Sequence, residues 1–133
     1  MILTYNINKP LETVFEYLTN MQKFVTVHPI IYKIEDKGQN EYLVFEKLKI
    51  LFIPVSFTYP AKVEGNIQTR QIKINAVVKK MTHIQMHFDL ANDNGKTRIT
   101  ETIDFMSPLP LKGTMEKIFK KQHNELFKNI ELA

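Results

Sequence analysis

A chain of 133 residues with 44% hydrophobic content, 18 basic and 14 acidic side chains and a net charge of +4 has the size and composition expected of one globular domain over residues 1–133. The absence of cysteine excludes disulfide scaffolds, cysteine-ligated zinc and thiolate catalysis. The opening MILTYNINKP has no basic segment followed by an apolar run, and the most apolar stretch, ILFIPV, falls far short of the roughly 18 residues a membrane helix needs, so a soluble, cytoplasmic protein is expected.

In MILTYNI, Leu3, Tyr5 and Ile7 alternate onto one face, which predicts a first strand. Asn8 and Pro10 offer a capping side chain and a first-turn proline. Leu11, Val14, Phe15 and Leu18 then form the stripe of a short helix. Thr19–Asn20 stops that helix and caps a second, on which Phe24 and Val27 face inward; Pro29 ends it by disfavouring helical geometry at His28. From Ile30 the period is two. IIYKIED, EYLVFEKLKI and PVSFTYPAKVE read as strands, with KGQN as the first turn and Val55, Phe57, Tyr59, Ala61 and Val63 on one face. Gly65–Asn66 is a two-residue hairpin signal, from which IQTRQIKINAVV returns as a strand. Lys79–Lys80 turns the chain into MTHIQMHFDL, where Ile84, Met86, Phe88 and Leu90 share a face. NDNG leads into KTRITETIDF, with Thr97, Ile99, Glu101, Ile103 and Phe105 together. After SPLPLKG, Leu111, Met115, Ile118, Phe119, Gln122, Leu126 and Ile130 line one side of a helix of about five turns. Short turns between seven strands predict an antiparallel meander. One helix cannot cover both faces of such a sheet, so the sheet is expected to curl around it with its other face wet.

This order of elements resembles the helix-grip fold of the START and Bet v 1-like (SRPBCC) superfamily, an α+β architecture that includes polyketide cyclase/dehydrase-like proteins. INKPLETVFEYLTNMQKFVTVHP carries most of the likeness: a strand, a proline-headed helix with the pair Val14–Phe15, and a second helix leading to Pro29. FIPVSFTYPAKVE and KTRITETIDFMSPLP are similar to the middle and late strands of bacterial members. The resemblance implies a hydrophobic cavity between sheet and last helix, for a lipid, isoprenoid, quinone, sterol or polyketide. Independently, a curved sheet meets a helix along a line, and the space to either side is filled by bulky side chains or left as a pocket. Nine Phe, five Tyr and six Met supply that bulk, and Met adapts its shape to a variable apolar guest. The side chains expected to line such a pocket are Phe24, Phe57, Tyr59, Ile74, Met86, Phe88, Ile99, Met115, Phe119 and Gln122.

Glu101 is the candidate catalytic residue, because a carboxyl on an apolar strand face is desolvated into an acid–base group. A local bulge, or an ion pair with a lysine or Arg70 at the end of the sheet, is the alternative. Gln122 interrupts the helix stripe and needs a hydrogen-bond partner, either a ligand or water at a pocket mouth. Tyr59 offers a hydroxyl to the pocket wall, or sends its oxygen to the surface. Arg70 guards an opening or ends a solvated strand. His83 and His87 share a strand face with Gln85 and Asp89, but residues four apart on a strand are about 13 Å apart, too far to share one metal ion. His28 stands at a helix end, where a cationic ring suits the dipole, and His123 lies beside the last helix stripe with no evident carboxylate partner. No metal or cofactor is expected. Sixteen Lys but only Arg70 and Arg98 argue against base-reading nucleic-acid binding. Three functions compete: a carrier of a hydrophobic small molecule; a cyclase or dehydratase using Glu101; and a protein- or membrane-interaction module whose lysines contact anionic surfaces weakly.

Overall fold

The computed structural model of the protein describes residues 1–50 and 52–133, and of Ile50 only the backbone; Leu51, in the apolar stretch ILFIPV, lies outside the described residues. Strands β1 (Ile2–Ile7) and β2 (Ile31–Gly38) form the two edges of a seven-stranded antiparallel sheet. Between them lie β7 (Lys96–Met106), β6 (Thr82–Asp93), β5 (Gln71–Val78), β4 (Ile53–Asn66) and β3 (Glu41–Ile50), in that spatial order. Helices α1 (Leu11–Thr19) and α2 (Met21–Val27) sit between β1 and β2 because they carry the chain from one edge of the sheet to the other. The long helix α3 (Lys112–Leu132) closes the chain, and the curved sheet wraps it in a helix-grip arrangement. None of the described helices is long and apolar enough to cross a membrane.

The alternation in the sequence is the alternation of the sheet. Leu3, Tyr5 and Ile7 of β1, Ile84, Phe88 and Leu90 of β6, and Thr97, Ile99, Glu101 and Ile103 of β7 face the helices, while the intervening side chains are more exposed. Asn94 and Gly95 both have positive φ, the geometry a two-residue hairpin of the favoured twist demands. Lys79 and Lys80 adopt the same geometry without a glycine.

Asn20 acts in both ways expected of it. It ends α1, and its side chain accepts from the N–H groups of Gln22 and Lys23 to cap α2. The start of α1 differs from expectation. Pro10 is itself the N-cap residue, and its carbonyl accepts from Thr13 and Val14. Asn8 does not cap; its N–H donates to Glu131 at 2.7 Å and ties β1 to the end of α3.

Gly65–Asn66 is not the turn. β4 runs on through both residues, the reversal falls at residues 67–70, and β5 begins only at Gln71, with Arg70 in the turn at positive φ. Asn66 still works as a turn residue, one step later, by accepting from the N–H groups of Gln68 and Thr69. Gly65 serves packing. A Cβ there would lie 2.7 Å from Thr19 Cγ2 and 3.0 Å from Phe15 Cζ, so its absence lets α1 press onto β4. Gly65→Ala is expected to cost about 1–3 kcal/mol by overpacking; urea unfolding of the variant checks this, and unchanged stability would show that α1 shifts freely.

Helix α3 is buried unevenly. Its second half places Gln122, His123, Leu126, Phe127 and Ile130 in the core, with Asn129 Nδ2 donating to the Val27 carbonyl at 2.8 Å. Its first half contains no fully buried residue: Met115, Ile118 and Phe119 are half-buried, and Leu111, expected in the stripe, is the exposed N-cap residue. The stripe therefore begins a turn later than the sequence pattern indicates, and the helix leans into the core at one end only.

Candidate functional site

Where the first half of α3 stands above the sheet, several inward-facing side chains keep partial exposure: Glu46 on β3, Val55, Phe57 and Tyr59 on β4, Met86 on β6, and Phe105 on β7. An inward residue stays half-exposed only when nothing covers it, so sheet and helix are separated by open space here. A groove of about 700 Å³ opens beside α3, lined by Pro29 and Ile30 after α2, Lys47, Leu48 and Lys49 on β3, Pro54–Ser56 on β4, and Ile118, Lys121, Gln122 and Glu125 on α3. That volume is in the range of small-molecule sites. A smaller recess of about 450 Å³ lies between Asn20–Gln22 and Asp36 and Tyr42, apart from the predicted site residues.

The inner face of the sheet carries two carboxyl groups, Glu101 on β7 and Glu46 on β3. Glu101 is 0% exposed, neither in a bulge nor paired with a lysine or Arg70. Its Oε1 accepts from His123 Nδ1 at 2.7 Å, and its Oε2 is buried without a partner among the described residues. His123, 3% exposed, therefore does have a carboxylate partner, 22 positions away in sequence. Its ring is held by Phe119 at 5.3 Å, Phe88 at 6.4 Å and Phe127 at 6.5 Å between centroids. Bonding at Nδ1 turns Nε2 away from Glu101, and among the described residues Nε2 has no hydrogen-bond partner. A carboxylate that fixes the tautomer and orientation of an imidazole leaves the far nitrogen as the proton-transfer atom.

The second carboxyl is Glu46, whose Oε2 accepts from the Tyr59 hydroxyl at 2.6 Å. Burial raises the Glu46 carboxyl above its ordinary range, against the opposing effects of the Tyr59 hydrogen bond and of His123. Burial, and then Glu46 itself, hold the Tyr59 hydroxyl well above the ordinary tyrosine value. The Tyr59 oxygen thus does not go to the surface. Tyr5 Oη is buried without a partner among the described residues, and burial together with Glu101 raises it strongly.

His28 departs from its expected cationic role. Its Nδ1 accepts from the N–H groups of Ile30 at 3.3 Å and Ile31 at 3.2 Å, which only an unprotonated nitrogen can do. Burial lowers its pKa to about 3, reinforced by His123, whose ring lies 6.4 Å away.

The residues predicted from sequence divide into three groups. Gln122 lines the groove, 8% exposed, and its side-chain amide has no hydrogen-bond partner among the described residues. Phe57, Tyr59, Met86, Met115 and Phe119 are half-buried and do not line the groove, Phe119 packing on Phe105 at 5.3 Å. Phe24, Ile74, Phe88 and Ile99 are closed into the core. His83 is exposed on the outer face of β6, and His87 Nε2 is 3.7 Å from Asp89 Oδ1. Glu46 is not singled out by the sequence analysis and His123 is placed there without its partner, though both carry a signal. Glu46 interrupts the alternating stripe Tyr42, Val44, Leu48 just as Glu101 interrupts its own, and His123 neighbours Gln122 on the helix stripe with Phe127 one turn on.

No protein-family model and no curated protein matches the chain. Solved structures match its fold. The di-domain ARO/CYC protein StfQ from the steffimycin biosynthetic pathway aligns at 12% identity and TM-score 0.78, over 100% of this chain and 44% of that one. The Zhui aromatase/cyclase from a Streptomyces strain aligns at 14% identity and TM-score 0.78, over 98% of this chain and 89% of that one. A START superfamily protein from Mycobacterium smegmatis aligns at 14% identity and TM-score 0.71, over 98% and 93%. This chain thus spans less than half the length of the di-domain protein.

Proposed function

We propose, from a START/Bet v 1-like helix-grip fold with an open groove beneath α3, that the protein binds a hydrophobic small molecule between its sheet and its last helix. The observation that carries this is the groove itself, with the apolar side chains of Pro29, Ile30, Leu48, Pro54, Val55 and Ile118 on its walls. A lipid, an isoprenoid or quinone, or a polyketide-like molecule would cover them, each buried CH₂ contributing roughly 0.8 kcal/mol. The likeness to a START superfamily protein and to two polyketide aromatase/cyclases supports the same use of the cavity.

Native mass spectrometry of the purified protein should return a bound hydrophobe. Leu48→Ala or Ile118→Ala should weaken its retention about tenfold, since each removes about 1–2 kcal/mol of apolar contact. A broad lipid and quinone screen in which nothing binds would end this proposal.

The Glu101–His123 pair favours one second reading, an acid–base enzyme of the cyclase or dehydratase kind in which Glu101 orients His123 and His123 Nε2 moves the proton. Glu101→Gln should then abolish turnover of a polyketide-like substrate while the fold is kept; a folded variant with full turnover removes the pair from the chemistry.

A further inference from the structure

We propose that the end of the sheet where β7 gives way to α3 docks on an anionic phospholipid bilayer. This goes beyond ligand binding and holds whether or not the groove carries a hydrophobe. The β5–β6 turn and the β7–α3 connection lie at the same end of the sheet, since Val78 pairs with Thr82 and His83 with Met106. The Thr82 hydroxyl donates to Ser107 Oγ at 3.1 Å, and Ser107 Oγ accepts from the Leu109 N–H at 3.3 Å, so turn and connection are tied into one surface. Four large apolar side chains stand out of it: Met81 is 48% exposed, Met106 70%, Leu109 48% and Leu111 39%. Pro108 and Pro110 fix φ on either side of Leu109 and stiffen the loop that holds these side chains outward. Single exposed apolar residues are ordinary; four gathered on two tied loops mark a place of contact.

The charge of the same surface selects the partner. Lys79, Lys80 and Lys112 are exposed on these segments, and residues 79–88 and 105–115 contain no aspartate or glutamate. Asp104 precedes the second segment and Glu116 follows it. The chain as a whole sets 14 acidic against 18 basic side chains, so this end is more one-sided than the rest. An anionic bilayer complements both features, with lysines at the level of the phosphates and Met and Leu in the boundary beneath. Fluid lipid also conforms to separate loop tips, which a rigid protein groove would have to match in shape.

The test is sedimentation of the full-length protein with vesicles of phosphatidylcholine, either alone or with about 30% phosphatidylserine. Binding is expected to the anionic vesicles, to weaken strongly at high salt, and to be much poorer on the neutral ones. Lys80→Gln/Lys112→Gln is expected to weaken it about twentyfold, roughly fivefold per lysine, and Met106→Ser/Leu109→Ser about tenfold. Lys73→Gln/Lys96→Gln, which removes the same charge from exposed positions away from this end, should leave binding within about twofold of the parent. Equal losses in the two lysine double variants would assign the attraction to net charge and overturn the proposal. No binding to the anionic vesicles also overturns it, as does a lipid-independent dimer that Met106→Ser/Leu109→Ser dissociates, which would assign the surface to a second copy of the chain.

Discussion

Replacing His123 by leucine is expected to lower the stability of the protein by about 3–5 kcal/mol, the usual cost of leaving one member of a buried charge-bearing pair alone. Glu101 would lose its hydrogen bond to His123 at a position with 0% exposure, and its second oxygen already has no partner among the described residues. The flanking Phe88 and Phe127 offer only ring contacts. The loss should be specific to the stranded carboxyl. Adding Glu101→Met to His123→Leu puts apolar groups of similar volume in both places, and the double variant should recover to within about 1–2 kcal/mol of the wild-type protein. Urea unfolding of the two single variants and the double variant forms a complete cycle. A single His123→Leu variant as stable as the parent, or a double variant no better than the single, would show that Glu101 and His123 are not coupled.

The second large effect is an acid-side loss of stability centred on His28. In the folded protein its pKa is about 3, against an ordinary 6.5, because burial and the neighbouring His123 disfavour the imidazolium. The unfolded chain therefore binds one more proton than the folded chain between those values. The contribution is fully present above pH 6.5 and drains away as the pH falls toward 3, at about 1.4 kcal/mol per unit, for a total of up to about 5 kcal/mol. Protonation also destroys the acceptor that holds the N–H groups of Ile30 and Ile31, at the rim of the groove. Glu46 contributes with the opposite sign: its raised carboxyl stabilises the folded state at low pH, and that stability is lost as pH rises past its ordinary value of 4.5. The effect of His28 must accordingly be isolated by difference. His28→Asn keeps a side-chain acceptor suited to N–H groups two and three residues on and cannot titrate. The stability of the parent relative to the variant should fall as the pH drops from 6.5 to 3, and two parallel curves would remove His28 from the acid response.

These two effects mark the boundary of what could be read before the structure. The seven strands, the two short helices and the terminal helix were legible because their periods are local. Ile99, Glu101 and Ile103 alternate whatever lies opposite them, and Asn20 caps α2 through N–H groups two and three residues away. Gly65–Asn66 was misread because a glycine in a strand looks the same whether it makes a turn or admits a helix; only the approach of Thr19 and Phe15 distinguishes the two. His28 was misread because a helix end predicts a favourable dipole and says nothing about the desolvation that outweighs it.

By itself the chain's pattern determined which residues turn inward and in what order the elements come, since burial imprints a two-residue or a 3.6-residue period on any amphipathic segment. Tertiary structure alone decided which inward polar groups meet. Glu46 reaches Tyr59 through the register of β3 on β4, and Glu101 reaches His123 through the rotation of α3 over the sheet. Register and rotation come from packing summed over the whole core, so no short window of residues contains them. The same packing leaves the first half of α3 standing clear of the sheet, and the groove exists for that reason.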